Sequence, residues 1–333
     1  MKILRYILFP FAILYQIITS FRNFLFNKNI LKSYQFDVPI ICVGNLNVGG
    51  TGKTPQIEYL IRLLSNNYRI ATLSRGYKRQ TKGFVLANHT ATAQSIGDEP
   101  FQFFSKFKNI QVAVDSDRKN GIENLLSLKN KPQIILLDDA FQHRKVNAGF
   151  YILLTAFNDL FIDDYLLPTG NLRESHIGSK RADVIIVTKC PKNLSVNEQE
   201  KIKTKLKTKQ PIFFSCIDYD DAIYAENKKI NLREIEFQKK LIFAGIANPK
   251  PFFEYLKHEN NKTLTFKDHH NFSRNDIQYI KNNARNNWII TTEKDYVRLK
   301  ESGIENLFYL PIKSRFLANS EKFDKMITNF IND

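Results

Sequence analysis

Val38-Pro-Ile-Ile-Cys-Val-Gly-Asn-Leu-Asn-Val-Gly-Gly-Thr-Gly-Lys-Thr-Pro55 reads as a buried strand, a glycine-rich turn and a helix opening at Lys53–Thr54. Gly49, Gly50 and Gly52 let the backbone curl so that successive N–H groups point inward and cradle phosphate oxygens. Lys53 reaches toward β- and γ-phosphates, and the Thr54 hydroxyl stands where such a loop binds Mg2+. The strict pattern G-x-x-x-x-G-K-[ST] wants glycine at position 47, and this chain has Asn47. Asparagine tolerates left-handed backbone better than most residues. The bland alternative is a chance glycine turn before a helix. The apolar run Ile57, Leu60, Ile61 and Leu64 argues against it by continuing one helical face. Asn47, Val48, Gly49, Gly50, Thr51, Gly52, Lys53 and Thr54 are therefore expected to hold a nucleoside triphosphate.

The second signal is Ile134-Ile-Leu-Leu-Asp-Asp-Ala-Phe-Gln-His143. A hydrophobic strand ending in carboxylates is the Walker B arrangement, in which an Asp helps to hold Mg2+ directly or through water. Asp138 and Asp139 arrive together here. Between the two signals lies Gly97-Asp-Glu-Pro100, two adjacent carboxylates before a helix with proline in its first turn. One of them suffices to cap that helix. The other is spare, and Glu99 joins Thr54, Asp138 and Asp139 as a candidate metal ligand. Leu167-Pro-Thr-Gly-Asn-Leu-Arg-Glu174 is a loop carrying Arg173. A loop arginine is commonly a solvated charge; near a phosphate loop it becomes a candidate for stabilising a transferred phosphoryl group.

Short β-rich runs alternate with helical or loop segments from Arg69–Ser74 through Ile110–Val114 and Tyr151–Thr155 to Val184–Thr188. That alternation predicts an α/β fold of P-loop NTPase type, a mostly parallel sheet with helices on both faces. Residues 78–96 read as a loop or small hairpin. The polar run 218–236 reads as a boundary, after which Lys240–Gly245 opens a smaller α/β unit. Three parts follow: an N-terminal helical segment over 1–33, a P-loop domain over 34–217 and a smaller C-terminal α/β domain over 218–333.

The N-terminus carries no charge from Tyr6 to Phe21 and no acidic residue before Asp37, while Lys2, Arg5, Arg22, Lys28 and Lys32 are basic. A spanning helix needs roughly 20 apolar residues, and Pro10 interrupts this shorter stretch. No small-x-small cleavage site follows it. Apolar and aromatic residues flanked by cations fit a membrane-associated helix lying in the interface of an anionic bilayer. A helix packed on the protein's own core and a single tilted span are the alternatives.

The chain has 333 residues and a formal charge of +16, from 49 basic and 33 acidic side chains. That balance favours anionic partners, whether nucleic acid, anionic lipid or phosphorylated substrates. No recognition-helix or RNP-type signature and no basic stripe interleaved with aromatics supports nucleic acid. Cys42, Cys190 and Cys216 are widely spaced, which argues against a disulfide scaffold or zinc site. Asp268-His-His270 ends a strand in the smaller unit; paired loop histidines are more often surface groups than catalytic ones.

In order along the chain stand Val43–Pro55, Ser74-Arg-Gly-Tyr77, Gly97–Pro100, Asp138–His143, Gly170–Glu174, Gly245-Ile-Ala-Asn-Pro249, Phe266-Lys-Asp-His269 and Thr292-Glu-Lys-Asp295. Together they resemble the tetraacyldisaccharide 4′-kinase (lipid A 4′-kinase) family, from the apolar N-terminus to about residue 312. The resemblance implies an ATP- and Mg2+-dependent enzyme on the cytoplasmic face of the inner membrane. Its lipid substrate is a tetraacylated disaccharide 1-phosphate, phosphorylated on the 4′-hydroxyl. The family's catalytic Asp falls on Asp98 and its assisting histidine on His269. Its P-loop residues fall on Lys53 and Thr54, and its Walker B carboxylates on Asp138 and Asp139. Ala140 stands where the family usually has glycine. The positive charge is then accounted for by anionic lipid at a membrane surface, without nucleic acid, and no protein partner is implied. Two rivals share the phosphate loop: a membrane-associated switching ATPase and a nucleic-acid-stimulated ATPase. Neither needs an Asp98/His269 pair.

Overall fold

The computed structural model describes residues 7–226, 228–268 and 270–333. Its centre is β1 (Ile40–Asn45), with every residue buried. The strand is apolar on both faces because both faces are covered. Ile40 and Cys42 enter one core, while Ile41 and Val43 enter the other, as the two-residue period of a strand requires.

Around it lie β2 (Ile70–Ser74), β3 (Val85–Leu86), β4 (Gln111–Val114), β5 (Ile134–Asp138), β6 (Phe150–Ala156), β7 (Val184–Thr188) and β8 (Ile212–Tyr219). A further six strands follow: β9 (Ala222–Ala225), β10 (Lys228–Asn231), β11 (Lys240–Ala244), β12 (Lys262–Thr265), β13 (Trp288–Thr292) and β14 (Leu307–Leu310), before β15 (Ile312–Phe316) closes the set. Among the described residues the larger sheet has nine strands in the order β15-β8-β7-β6-β1-β5-β2-β4-β3. All its pairings are parallel except those of the two edge strands, β3 on β4 and β15 on β8. The helix Lys53–Leu64 packs Ile57, Leu60, Ile61 and Leu64 on one face. The helix Arg118–Leu126 packs Ile122 and Leu125 on the other. The expected mostly parallel sheet with helices on both faces is the observed one.

The smaller sheet runs β10-β9-β14-β13-β11-β12, parallel from β14 to β12 and antiparallel at β9 and β10. Its first two strands come from the polar run that sequence marks as a boundary. Ile223 and Ile230 face each other across this hairpin, while Lys228 and Lys229 lie in the open. Exposed lysines on both faces at the start of β10 mask a short strand pair whose apolar cross-strand contact is confined to Ile230 and Ile223. The end of the chain also departs from the expected division, which assigns 218–333 to one unit. β15 pairs with β8 of the larger sheet, and the helix Ser320–Asn332 buries Phe323 and Ile327 in the core that holds Phe213 and Phe316. An aromatic cluster at that edge draws the chain back.

Among the described residues no helix is long and apolar enough to cross a membrane. The N-terminal helix Phe9–Asn27 docks through one narrow stripe, with Ala12 and Thr19 buried and Tyr15, Arg22 and Asn23 half-buried. Phe11, Leu14, Ile17, Ile18 and Phe21 are exposed on its other faces.

Candidate active site

The phosphate loop follows β1 directly. Asn45, the last residue of β1, donates from Nδ2 to the Asn47 carbonyl at 2.8 Å and to that of Gly49 at 3.4 Å. Its Oδ1 accepts from Lys53 Nζ at 3.4 Å. The loop turns at Gly49 and Gly52, whose φ values of 127° and 85° are ones that a side chain disfavours. Asn47 has no positive φ, so glycine is not needed there. It is fully buried, and its side chain donates to Asp164 Oδ2 at 3.3 Å. Its main chain bridges to Leu172, and Val48 N–H donates to the Asn171 carbonyl at 2.7 Å. The loop carrying Arg173 is thereby stitched to the phosphate loop. From the other side Thr188 donates to the Thr51 carbonyl at 2.7 Å, and Lys189 Nζ donates to the Gly50 carbonyl.

β5 pairs with β1 and delivers Asp138 beside the loop. Asp138 is buried, with Oδ2 accepting from Ser74 Oγ at 3.3 Å. Its Oδ1 has no hydrogen-bond partner. Burial, and then the charges of Glu99 and Asp139, push this carboxyl up to about 7 despite Lys53 and Arg118. Asp139 takes a left-handed φ of 49°, so the strained residue of the turn is not Ala140, which packs into the core. For Asp139 burial acts upward but is outweighed by Lys53 and Arg173, which hold it below the usual carboxylate range. The Arg173 guanidinium lies 2.8 Å from Asp139 Oδ1, and Lys53 Nζ lies 3.6 Å from the same atom. Gly44 lets the turn close: a Cβ there would stand 2.6 Å from that of Phe141.

Among the described residues no three or more His, Cys, Asp or Glu side chains gather as a metal site, but the donors at this turn have the chemistry of a hard-cation site. An orphaned, buried carboxylate oxygen, two adjacent carboxylates and the Thr54 hydroxyl are hard oxygen donors of the kind Mg2+ takes alongside phosphate and water. Asp138 is the most available of them, since Asp139 is already shared by two cations.

The helix Asp98–Lys106 opens on the two carboxylates expected from sequence. The Gly97–Pro100 segment packs against the residues that follow β2: a Cβ on Gly97 would stand 3.2 Å from the Tyr77 carbonyl, just past Ser74, whose hydroxyl donates to Asp138, and Glu99 bears on Asp138 electrostatically. What sequence reading did not anticipate is what grips it. The helix Glu293–Leu299 of the smaller sheet places Lys294 Nζ 3.2 Å from Glu99 Oε1, and it pairs Arg298 with Asp98. The signal was present in Thr292-Glu-Lys-Asp295, but no spacing rule ties it to Asp98. His269 lies outside the described residues. His270 bonds Asp276 Oδ2 through Nε2 at 3.1 Å, and its carbonyl accepts from Arg298 at 3.4 Å.

Behind the turn, buried Glu174 accepts from both arms of Arg181 at 2.8 and 2.9 Å. Gln142 donates to it at 3.0 Å, and Asn23 of the N-terminal helix at 2.9 Å. Gln142 also donates to the Asn45 carbonyl at 2.9 Å. Tyr15 donates to the Arg173 carbonyl at 2.9 Å. The N-terminal helix is thus bonded to the segments that present Arg173 and the Walker B turn.

A family model described as tetraacyldisaccharide-1-P 4′-kinase matches residues 4–332. The tetraacyldisaccharide 4′-kinase of Flavobacterium johnsoniae is 62% identical over 336 residues, covering 100% of this chain and 99% of its own. That of Bacteroides thetaiotaomicron is 42% identical over 353 residues, covering 98% and 93%. A crystal structure of the "apo" form of LpxK from Aquifex aeolicus in complex with ATP superposes with a TM-score of 0.81 at 32% identity, covering 98% of this chain and 99% of that one. With a phosphate loop following a buried strand, a paired Walker B turn and likeness along its whole length, this chain belongs to the tetraacyldisaccharide-1-P 4′-kinase family.

Proposed function

We propose that the protein transfers the γ-phosphoryl group of ATP to the 4′-hydroxyl of a tetraacyldisaccharide 1-phosphate, giving the bisphosphorylated lipid A precursor. The observation that supports the mechanism is the packing of Gly97 on Gly76 and Tyr77, just past Ser74, whose hydroxyl donates to the Walker B residue Asp138 at 3.3 Å. Asp98 accepts the proton of the 4′-hydroxyl as that oxygen bonds to the γ-phosphorus. The bond to the β–γ bridging oxygen breaks, and ADP leaves with the electron pair. Lys53 and Arg173, already converging on Asp139, stabilise the charge on the phosphoryl group in transfer. His269 is assigned the assisting role by family likeness.

Thr54, Asp138, Asp139 and Glu99 are the residues that would hold Mg2+. When bound, the ion neutralises charge on the β- and γ-phosphate oxygens. The segment from Asn47 to Thr54 binds the triphosphate through its main-chain N–H groups.

The N-terminal helix supplies the lipid's route. Its exposed aromatic and aliphatic side chains enter the interface of an anionic bilayer at the cytoplasmic face of the inner membrane, as a peripheral anchor. Acyl chains stay partly in the bilayer while the headgroup reaches the cleft. We divide the chain accordingly into an anchor over 1–33, a P-loop domain over 34–217 that β15 and the last helix rejoin, and a smaller unit beginning at 218.

The test is incubation of the purified protein, in detergent micelles, with Mg2+, γ-labelled ATP and the tetraacyldisaccharide 1-phosphate. Label is expected on the lipid and absent with Asp98→Ala. Label found solely as free phosphate, with or without lipid, overturns the reading in favour of a switching ATPase.

A further inference from the structure

Lys294 and Arg298 stand one helical turn apart on Glu293–Leu299 and so face the same way. They meet consecutive carboxylates of the larger sheet's domain. Arg298 is held from several directions: it pairs with Asp98, donates to the His270 carbonyl at 3.4 Å and lies 3.9 Å from Asp295 Oδ1. Lys294 is tied less firmly. Among the described residues its ion pair is with Glu99 at 3.2 Å, and both side chains are about one-third exposed, at 31% and 33%. A pair that open is weak.

Two other lysines stand at the phosphate loop, one within it and one reaching it from the end of β7. Lys53 opens its helix, and Lys189, in a left-handed backbone with φ 57°, aims its ammonium at the Gly50 carbonyl. Lys189 is held below its usual range first by burial and then by Lys294, with Lys53 adding to the effect against Asp159. Lys53 lies 3.6 Å from Asp139, Lys189 meets the Gly50 carbonyl, and Lys294 holds Glu99 on the segment packed beside the strand end that bonds Asp138, so three ammonium groups from three elements gather about one region. Their mutual repulsion is relieved when a polyanion lies among them.

We propose that Lys294 is a catalytic residue contributed by the smaller sheet, which exchanges Glu99 for a γ-phosphate oxygen of ATP and stabilises the phosphoryl group during transfer. The inference rests on the kinase reading above and deepens it. An ammonium on a four-carbon stem swings without main-chain movement and binds phosphate as a point charge. Release of Lys294 leaves the Glu99 charge beside Asp138, where it balances added positive charge. The exchange also makes the smaller sheet a sensor of the γ-phosphate, because ADP offers Lys294 nothing to take in place of Glu99.

The experiment compares wild type, Lys294→Ala and Lys294→Arg for binding of ADP and of ADP with aluminium fluoride, both with Mg2+, and for kcat on the lipid. For Lys294→Ala, ADP affinity is expected to stay within about twofold, while at least about tenfold of the extra affinity given by aluminium fluoride disappears. The kcat is expected to fall on the order of a hundredfold, and Lys294→Arg to recover part of both losses. Unchanged melting temperature is the folding control. Wild-type aluminium fluoride affinity and kcat in Lys294→Ala would overturn the proposal, as would equal loss of ADP and ADP–aluminium fluoride binding, which marks a structural role. If the wild type puts no label on lipid, the kinase reading fails, and the aluminium fluoride comparison still decides whether Lys294 meets phosphate.

Discussion

Tyr15 of the N-terminal helix donates its phenolic hydrogen bond to the main-chain carbonyl of Arg173, at 2.9 Å and across 158 positions of sequence. The side chain of the same Arg173 reaches Asp139 at 2.8 Å. The element with the exposed apolar face and the charge aimed at the phosphate loop therefore share one residue. Docking of the helix and placement of the guanidinium are mechanically linked.

Tyr15→Phe removes that bond and keeps the ring. A net intramolecular hydrogen bond contributes about 1 kcal/mol, so the loop should hold Arg173 less tightly without unfolding. The kcat for lipid phosphorylation is expected to fall about threefold to tenfold by that magnitude, with affinity for ATP unchanged, as Asn47–Thr54 is untouched. Initial rates alongside equilibrium nucleotide binding measure both. A wild-type kcat would break the link between helix and loop.

Glu174 is fully buried, and Arg181 clasps it with both guanidinium arms. Glu174→Ala strands that guanidinium, whose side chain is 20% exposed, and also strips Gln142 and Asn23 of their acceptor. Removing one partner of a buried pair costs about 3–5 kcal/mol. Urea unfolding is the measurement, and a midpoint close to wild type at equal slope would contradict the account. Glu174→Gln keeps an acceptor oxygen and should lose less.

The phosphate loop was legible because it is local: strand, glycines, Lys53 and Thr54 are adjacent, and each has a stereochemical reason that needs no distant partner. Asp138 and Asp139 were legible for the same reason. Lys189 was not, since its role depends on a left-handed main chain at the end of β7. Nor were Lys294 and Arg298, which meet Glu99 and Asp98 across roughly two hundred positions through packing of the two sheets. The hairpin of β9 and β10 was hidden by outward lysines. The return of β15 to β8 was not legible, because the alternation in Ile312–Phe316, with Lys313 and Arg315 outward, marks an edge strand without showing which sheet it joins.

Asp138→Asn tests the metal assignment. The orphaned Oδ1 and the neighbouring charges of Glu99 and Asp139 make the carboxylate costly without a cation. The neutral amide relieves that cost, so the nucleotide-free variant is expected to be more stable than wild type at pH 8 by about 1 kcal/mol. Affinity for a non-hydrolysable ATP analogue should lose its Mg2+-dependent part, a drop of about tenfold to a hundredfold. Titrations with and without Mg2+ read this directly. Full Mg2+ dependence in the variant would remove Asp138 from the ligand set.

Beneath the helix that carries Lys294 lies a buried triad. Lys106 Nζ is 2.8 Å from Glu58 Oε2 and 2.9 Å from Glu293 Oε2. Arg62 also meets Glu58 at 2.6 Å, and Gln102 donates to its Oε1 at 2.9 Å. Burial, and then the Glu58 charge, push Glu293 up to about 7 from an ordinary 4.5, against Lys106 and Arg62. The native carboxyl thus keeps its proton over a range in which the unfolded chain has lost it. Its contribution to stability is complete below about pH 4.5 and is lost as pH rises through about 7. Across that window the change is on the order of 2–3 kcal/mol. Glu293→Gln is neutral at every pH and keeps the shape. Its stability relative to wild type should therefore climb between pH 5 and pH 7 and level off above, because the other titrating groups cancel in the difference. The coupled Glu58 and Lys106 are the exceptions. Urea midpoints of the two proteins at pH 5, 6, 7 and 8 measure it. Parallel curves would mean that Glu293 is already ionised at pH 5 and that Lys106 serves both carboxylates as a full ion-pair partner.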